Sequence, residues 1–151
     1  MPVRHKDSHD WLAGEIGAAA ESLVLAWARG EEQAHGTVSV PQLRALFAVD
    51  AHGPLTVGRL GTLLDALPSS ASRLCDRLEA TGLLARQAGA SDRRATTVSL
   101  TPAGRELLDD VRRARQRHLG EILAAMSPEQ RTALLEGLTE FARAAARAND
   151  D

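Results

Sequence analysis

The sequence has no tyrosine, two tryptophans, two phenylalanines and one cysteine. An aromatic share of only 3% weighs against a sheet-rich core, because aromatic and β-branched side chains are what pleated surfaces pack best. With Cys75 as the lone thiol, no intramolecular disulfide can form, which fits a reducing compartment. Long apolar runs are also missing. The longest, Leu23 to Ala28, falls far below the roughly 20 residues that span a bilayer, and the charged start Arg4-His5-Lys6-Asp7 lacks a signal-peptide core. A soluble, cytoplasmic protein with no membrane partner is expected. There is no Gly-rich phosphate loop, Ser-x-x-Lys element or His-Glu-x-x-His element, so neither an enzyme nor a cofactor is expected.

What is abundant is alanine, leucine and arginine, side chains that lose little freedom in a helix. The 151 residues, 44% hydrophobic, suffice for one core, so a single domain over 1–151 is expected. A net charge of −2 argues at first against a nucleic-acid partner. Its distribution argues the other way. Between residues 69 and 97, Arg73, Arg77, Arg86, Arg93 and Arg94 outnumber Asp76, Glu79 and Asp92, giving +2 there and leaving −4 for the remainder. Phosphates are neutralised by the face that touches them rather than by the sum.

Along the chain, Trp11, Leu12, Ile16, Ala19, Ala20, Leu23, Val24 and Trp27 recur at three-to-four spacing. They predict an amphipathic helix over about 9–29, capped by Ser8 or Asp7 and broken by the segment from Gly30 to Thr37. Ser39-Val40-Pro41-Gln42 reads as a capping box opening a second helix with Leu43, Leu46, Phe47 and Val49, ended at His52-Gly53-Pro54. Thr56 caps a short third helix, and Pro68 starts a fourth that stops at Gly82. Leu83 to Gln87 and Ala95 to Leu100 read as two strands joined by the turn Gly89-Ala90-Ser91-Asp92. Thr101-Pro102 then opens a long helix, and a second capping box, Ser127-Pro128-Glu129-Gln130, starts the last. Helices followed by a hairpin predict a mainly α chain with a small β-hairpin wing.

The chain resembles the MarR family of winged helix-turn-helix transcriptional regulators. The residues that carry the resemblance are Pro68-Ser69-Ser70-Ala71-Ser72-Arg73-Leu74, Arg77-Leu78-Glu79, Gly82-Leu83-Leu84, Arg86, Ser91-Asp92-Arg93-Arg94-Ala95 and Ser99-Leu100-Thr101-Pro102-Ala103-Gly104. The resemblance implies a homodimer in which flanking helices, 8–29 and 101–147, interlock. Two winged helices, 39–100, would then reach a near-palindromic site on double-stranded DNA. It implies a transcription factor, most often a repressor, released by a small anionic or aromatic effector in a crevice to which Trp27, His35 and Arg44 could contribute.

The residues themselves support the DNA reading. Ser69, Ser70 and Ser72 suit phosphate or base-edge contact at a helix start, and Arg73 and Arg77 reach phosphates or guanine edges. By resemblance, Arg94 enters the minor groove, where narrow width concentrates negative potential, and Asp92 holds the tip or an arginine; Arg93 meets phosphate or solvent. The blander alternatives are an ordinary helix start and an ordinary charged turn. Asp65-Ala66-Leu67-Pro68 departs from the family pattern, since Leu67 cannot cap through its side chain. Cys75 falls on the inward stripe of the fourth helix, which favours a small buried hydrophobe over a redox sensor. His5 and His9 are spaced for one helical face, and His35 or His118 could join them, but no Cys or Glu at ligand spacing accompanies them, so no metal site is expected.

Overall fold

The computed structural model describes residues 6–34, 36, 38–88 and 96–149. Its elements run α1 (Lys6–Glu32), α2 (Val40–His52), β1 (Leu55–Thr56), α3 (Val57–Leu63), α4 (Pro68–Ala80), β2 (Leu84–Ala88), β3 (Thr96–Leu100), α5 (Pro102–Ala124) and α6 (Pro128–Asn149). Among the described residues, no helix is long and apolar enough to cross a membrane.

Local chemistry sets most boundaries. Ser39 and Gln42 form a reciprocal capping box, with Gln42 N–H donating to Ser39 Oγ (3.4 Å) and Ser39 N–H to Gln42 Oε1 (2.8 Å). Ser127 and Gln130 repeat it before α6 (3.2 and 2.9 Å). Each box satisfies amides that the first helical turn leaves without partners. At the other end of α4, Gly82 has φ +74°, and Gly82 N–H and Leu83 N–H donate to the carbonyls of Glu79 and Leu78, both at 2.9 Å. That Schellman pattern turns the chain from α4 into β2.

The ends of α1 and of the strands differ from the sequence expectation. Asp7 and Ser8 lie inside α1, not at its cap, and the helix continues through Gly30 to Glu32. Gly30 is there for close approach: a Cβ on it would lie 2.8 Å from Arg115 Cα, where α1 crosses α5. The two long strands are shifted or trimmed by one residue, and a third, β1, is too short for its alternation to register. The antiparallel sheet has order β1-β3-β2, pairing Leu55 with Val98 and Leu84 with Leu100.

The core lies under the sheet, between α2, α3, α4 and the first half of α5. Leu43, Leu46, Leu60, Leu78, Val98, Leu108 and Val111 are fully buried in or beside it, with Cys75 among them. Cys75 thus takes the place of a small hydrophobe, and burial pushes its thiol up from its ordinary pKa despite the opposing pull of Arg86. The start of α5 is fastened to this core at one point. Thr101 Oγ1 accepts from Gly104 N–H (3.0 Å) and donates to the Gly82 carbonyl (2.6 Å), joining the α5 cap to the α4 stop. Gly104 itself has no room for a side chain, since a Cβ would lie 2.2 Å from the Leu83 oxygen.

By contrast, α6 makes few contacts with the rest of the described chain and is exposed along most of its length. It nevertheless carries Leu134, Leu135, Leu138 and Phe141 on its surface.

Candidate nucleic-acid interface

α3 and α4 form a helix-turn-helix whose turn, Leu64 to Leu67, closes on itself. Asp65 N–H donates to the Thr62 carbonyl (3.2 Å) and Ala66 N–H to the Gly61 carbonyl (2.9 Å). Asp65 sits at the left-handed position of this turn with φ 51°, a conformation that aspartate tolerates better than most residues. Gly61 lets the two helices close, since a Cβ there would meet the Ala71 Cβ at 3.2 Å. Leu67 stands at the N-cap of α4 with no side-chain cap bond, as its chemistry requires, and is 72% exposed.

The second helix shows a sharp division of faces. Ala71, Cys75 and Leu78 are buried. At about 100° per residue, Ser69, Arg73 and Arg77 form the ridge opposite them. All three are exposed, as is Ser70, whereas Ser72 is half-buried. Among the described residues, neither Arg73 nor Arg77 enters an ion pair. Among the described residues no carboxylate is paired with either guanidinium, so an anion need displace none of them.

The two flanks of the ridge are held differently. On one, Arg86 of β2 donates from Nη2 to Asp76 Oδ1 (2.6 Å) and from Nη1 to Glu79 Oε2 (3.0 Å), tying the wing strand to the recognition helix. These bonds raise the pKa of Arg86 further, chiefly through the hydrogen bond to Asp76. On the other flank, Ser70 and Leu74 share a depression of about 190 Å³ with Pro41, Arg44, Leu64 and Ala66. Asp92, Arg93 and Arg94 lie outside the described residues, in the segment that joins β2 to β3.

Of the residues expected to share an effector crevice, Trp27 and Arg44 line separate depressions. Trp27 lines a cavity of about 550 Å³ with Arg112, Arg115, Gln116, Leu119, Gly120 and Leu123. Arg44 lines the separate depression beside α4, because the start of α2 faces the recognition helix while Trp27 faces α5. His35 lies outside the described residues. Sequence reasoning missed Arg115, whose guanidinium stacks on the Trp27 ring at 4.5 Å and the Phe47 ring at 4.7 Å and pairs with Glu31 at 2.5 Å. Arg112 likewise pairs with Asp50 (2.5 Å) over Phe47. A signal was present: Arg115 continues the inward stripe Leu108, Val111, Leu119 of α5, and an arginine on an apolar stripe needs a partner. His118 is near Glu121 alone, and among the described residues no group of three or more His, Cys, Asp or Glu side chains could hold a metal.

A helix-turn-helix with an unpaired basic ridge and an antiparallel wing hinged on it defines a winged-helix DNA-binding protein. The model of the MarR family matches residues 37–95. An uncharacterised HTH-type transcriptional regulator of Bacillus subtilis, YfiV, is 32% identical over 107 residues, 71% of this chain and 67% of that protein. The HTH-type transcriptional repressor MdtR of the same organism is 30% identical over 93 residues, 62% of this chain and 60% of its own length. Among solved structures, RV1404 of Mycobacterium tuberculosis superposes with a TM-score of 0.79 at 31% identity, covering 92% of this chain and 95% of that one. The chain belongs to the MarR family of DNA-binding transcriptional regulators.

Proposed function

We propose that the protein is a cytoplasmic repressor that binds a near-palindromic operator as a homodimer and is released by a small-molecule effector. The observation that carries this reading is the uncovered apolar surface shared by α1, α5 and α6. Ile16, Ala19, Ala20, Leu23 and Ala26 of α1, with Leu119, Ile122 and Leu123 of α5 and Leu134, Leu135 and Leu138 of α6, line an open groove of about 490 Å³. Around it Trp11, Leu12, Val24, Leu25 and Phe141 are exposed as well. A soluble monomer rarely leaves so continuous an apolar surface in water. The same helices from a second copy supply a self-complementary cover, the isologous arrangement of a two-fold dimer. Repression is supported by the relative MdtR, which is named a repressor.

In this reading Ser69, Ser70, Ser72, Arg73 and Arg77 contact the major groove and its phosphates. Arg94 enters the minor groove, with Asp92 ordering the wing tip and Arg93 near phosphate. The effector occupies the crevice that Trp27, Arg112 and Arg115 line, where the Trp27 face beside Leu119 and Leu123 suits an aromatic molecule. It acts only insofar as it binds the DNA-incompetent dimer more tightly than the competent one.

Selection of bound sequences from a random duplex library tests the reading. The expected product is a two-fold site with half-site centres about one helical turn apart. On that site Arg94→Ala weakens binding about tenfold or more at fixed salt while leaving the thermal melt unchanged. Recovery of single half-sites bound by one chain would overturn the dimer, and unchanged affinity of Arg94→Ala would overturn the wing assignment.

A further inference from the structure

We propose that Arg44, at the start of the second turn of α2, is a phosphate-binding residue of the DNA interface that clamps the backbone strand along one side of the recognition helix. The inference rests on the DNA-binding reading and extends it to an element outside the helix-turn-helix and the wing.

The argument begins with geometry. A major groove is about 12 Å wide, and a helix with its side chains is about 10 to 12 Å across. A recognition helix seated there fills the groove from wall to wall. The phosphates that form the walls then lie against whatever flanks the helix. Along α4, the Asp76 and Glu79 flank is occupied by Arg86, whose charge is already spent on those two carboxylates. The opposite flank, Ser70 and Leu74, faces the start of α2, where Arg44 shares their depression of about 190 Å³.

Arg44 is in the right electrostatic state for this role. It is exposed, while its neighbours Leu43, Ala45 and Leu46 are buried, so α2 is anchored in the core beneath a guanidinium that is not. Among the described residues Arg44 takes part in no ion pair, side-chain hydrogen bond or ring stacking, and no acidic side chain lines its depression. The arginines of α5 that approach the α1–α2 junction are spoken for, Arg112 by Asp50 and Arg115 by Glu31. Arg44 beside Ser70 thus adds a charge without an ion pair among the described residues to Arg73 and Arg77 along the crest of α4. The capping box at Ser39 and Gln42 fixes the first turn of α2, and Arg44 follows directly on it between the buried Leu43 and Ala45.

The test is a salt titration of binding for the wild-type protein, Arg44→Gln and Arg44→Lys, each on the selected operator and on a random duplex. A phosphate contact contributes about one unit to the slope of log K against log salt, whatever the sequence. Arg44→Gln is expected to lower that slope by about one and to weaken binding about three- to tenfold near 0.1 M salt, equally on both duplexes. Arg44→Lys, which keeps a point charge, is expected to restore the slope. If the wild-type protein binds duplex with a steep slope and Arg44→Gln matches it, the Arg44 assignment falls while the DNA reading stands. A loss confined to the operator with an unchanged slope overturns the phosphate role in favour of base contact. Absence of any salt-dependent binding by the wild-type protein removes the DNA reading itself, and this inference with it.

Discussion

Gly30 shows how one residue type carries opposite meanings. In an isolated helix, glycine is about 1 kcal/mol worse than alanine, so Gly30→Ala would be read as stabilising. Here the position is where α1 crosses α5, and an added Cβ would press to 2.8 Å from the Arg115 backbone. Overpacking of this kind costs about 1 to 3 kcal/mol, more than the propensity gain. Gly30→Ala is therefore expected to lower the urea midpoint, and a raised midpoint would show that the two helices can separate without loss. Arg115 adds to the tightness there, since its guanidinium is held between two rings and Glu31. The sequence showed that Arg115 needs a partner, but not which one, and gave no sign of the role of Gly30. Glycine reads as a helix stop until the partner helix is in place.

Among the elements, the recognition helix and the wing strand form one working unit through Arg86. Its bonds to Asp76 and Glu79 are largely exposed, and exposed pairs contribute roughly 0 to 1 kcal/mol, so they do little for global stability. Their effect is to fix the angle between α4 and the hairpin. Arg86→Gln is thus expected to melt within about 1 kcal/mol of the parent yet bind operator several-fold more weakly. Anisotropy titrations and thermal melts on the same samples check this. Equal affinity would mean that the wing is aimed without Arg86. The ridge Ser69, Arg73, Arg77 was legible in the sequence because helical spacing alone sorts α4 into buried and exposed faces. The strand β1 was not, because two residues carry no detectable alternation, and its pairing with β3 joins Leu55 to Val98 and Thr56 to Thr97, far apart in sequence.

For the whole molecule, the balance of buried and exposed apolar surface decides the assembly. The winged helix has a closed core of its own, whereas α1 and α6 leave leucines and Phe141 in water, Leu135 at 67% and Phe141 at 65% exposure. If a second copy covers them, folding and association are linked, and the melting temperature should rise with protein concentration. Leu134→Asp with Leu138→Asp is expected to abolish that concentration dependence and to yield monomers or an unfolded chain by sedimentation. A melt independent of concentration for the wild-type protein would overturn the dimer.

The sequence by itself determined the helices, their caps at Ser39, Thr56 and Ser127, the stop at Gly82 and the polar ridge of α4, because these depend on neighbours within one or two turns. Tertiary structure decided what those elements face. It separated Trp27 from Arg44, set Arg44 beside Ser70, placed Arg115 between two aromatic rings, and revealed Gly30 as a crossing point, because each of these depends on residues distant in sequence meeting across a packed interface.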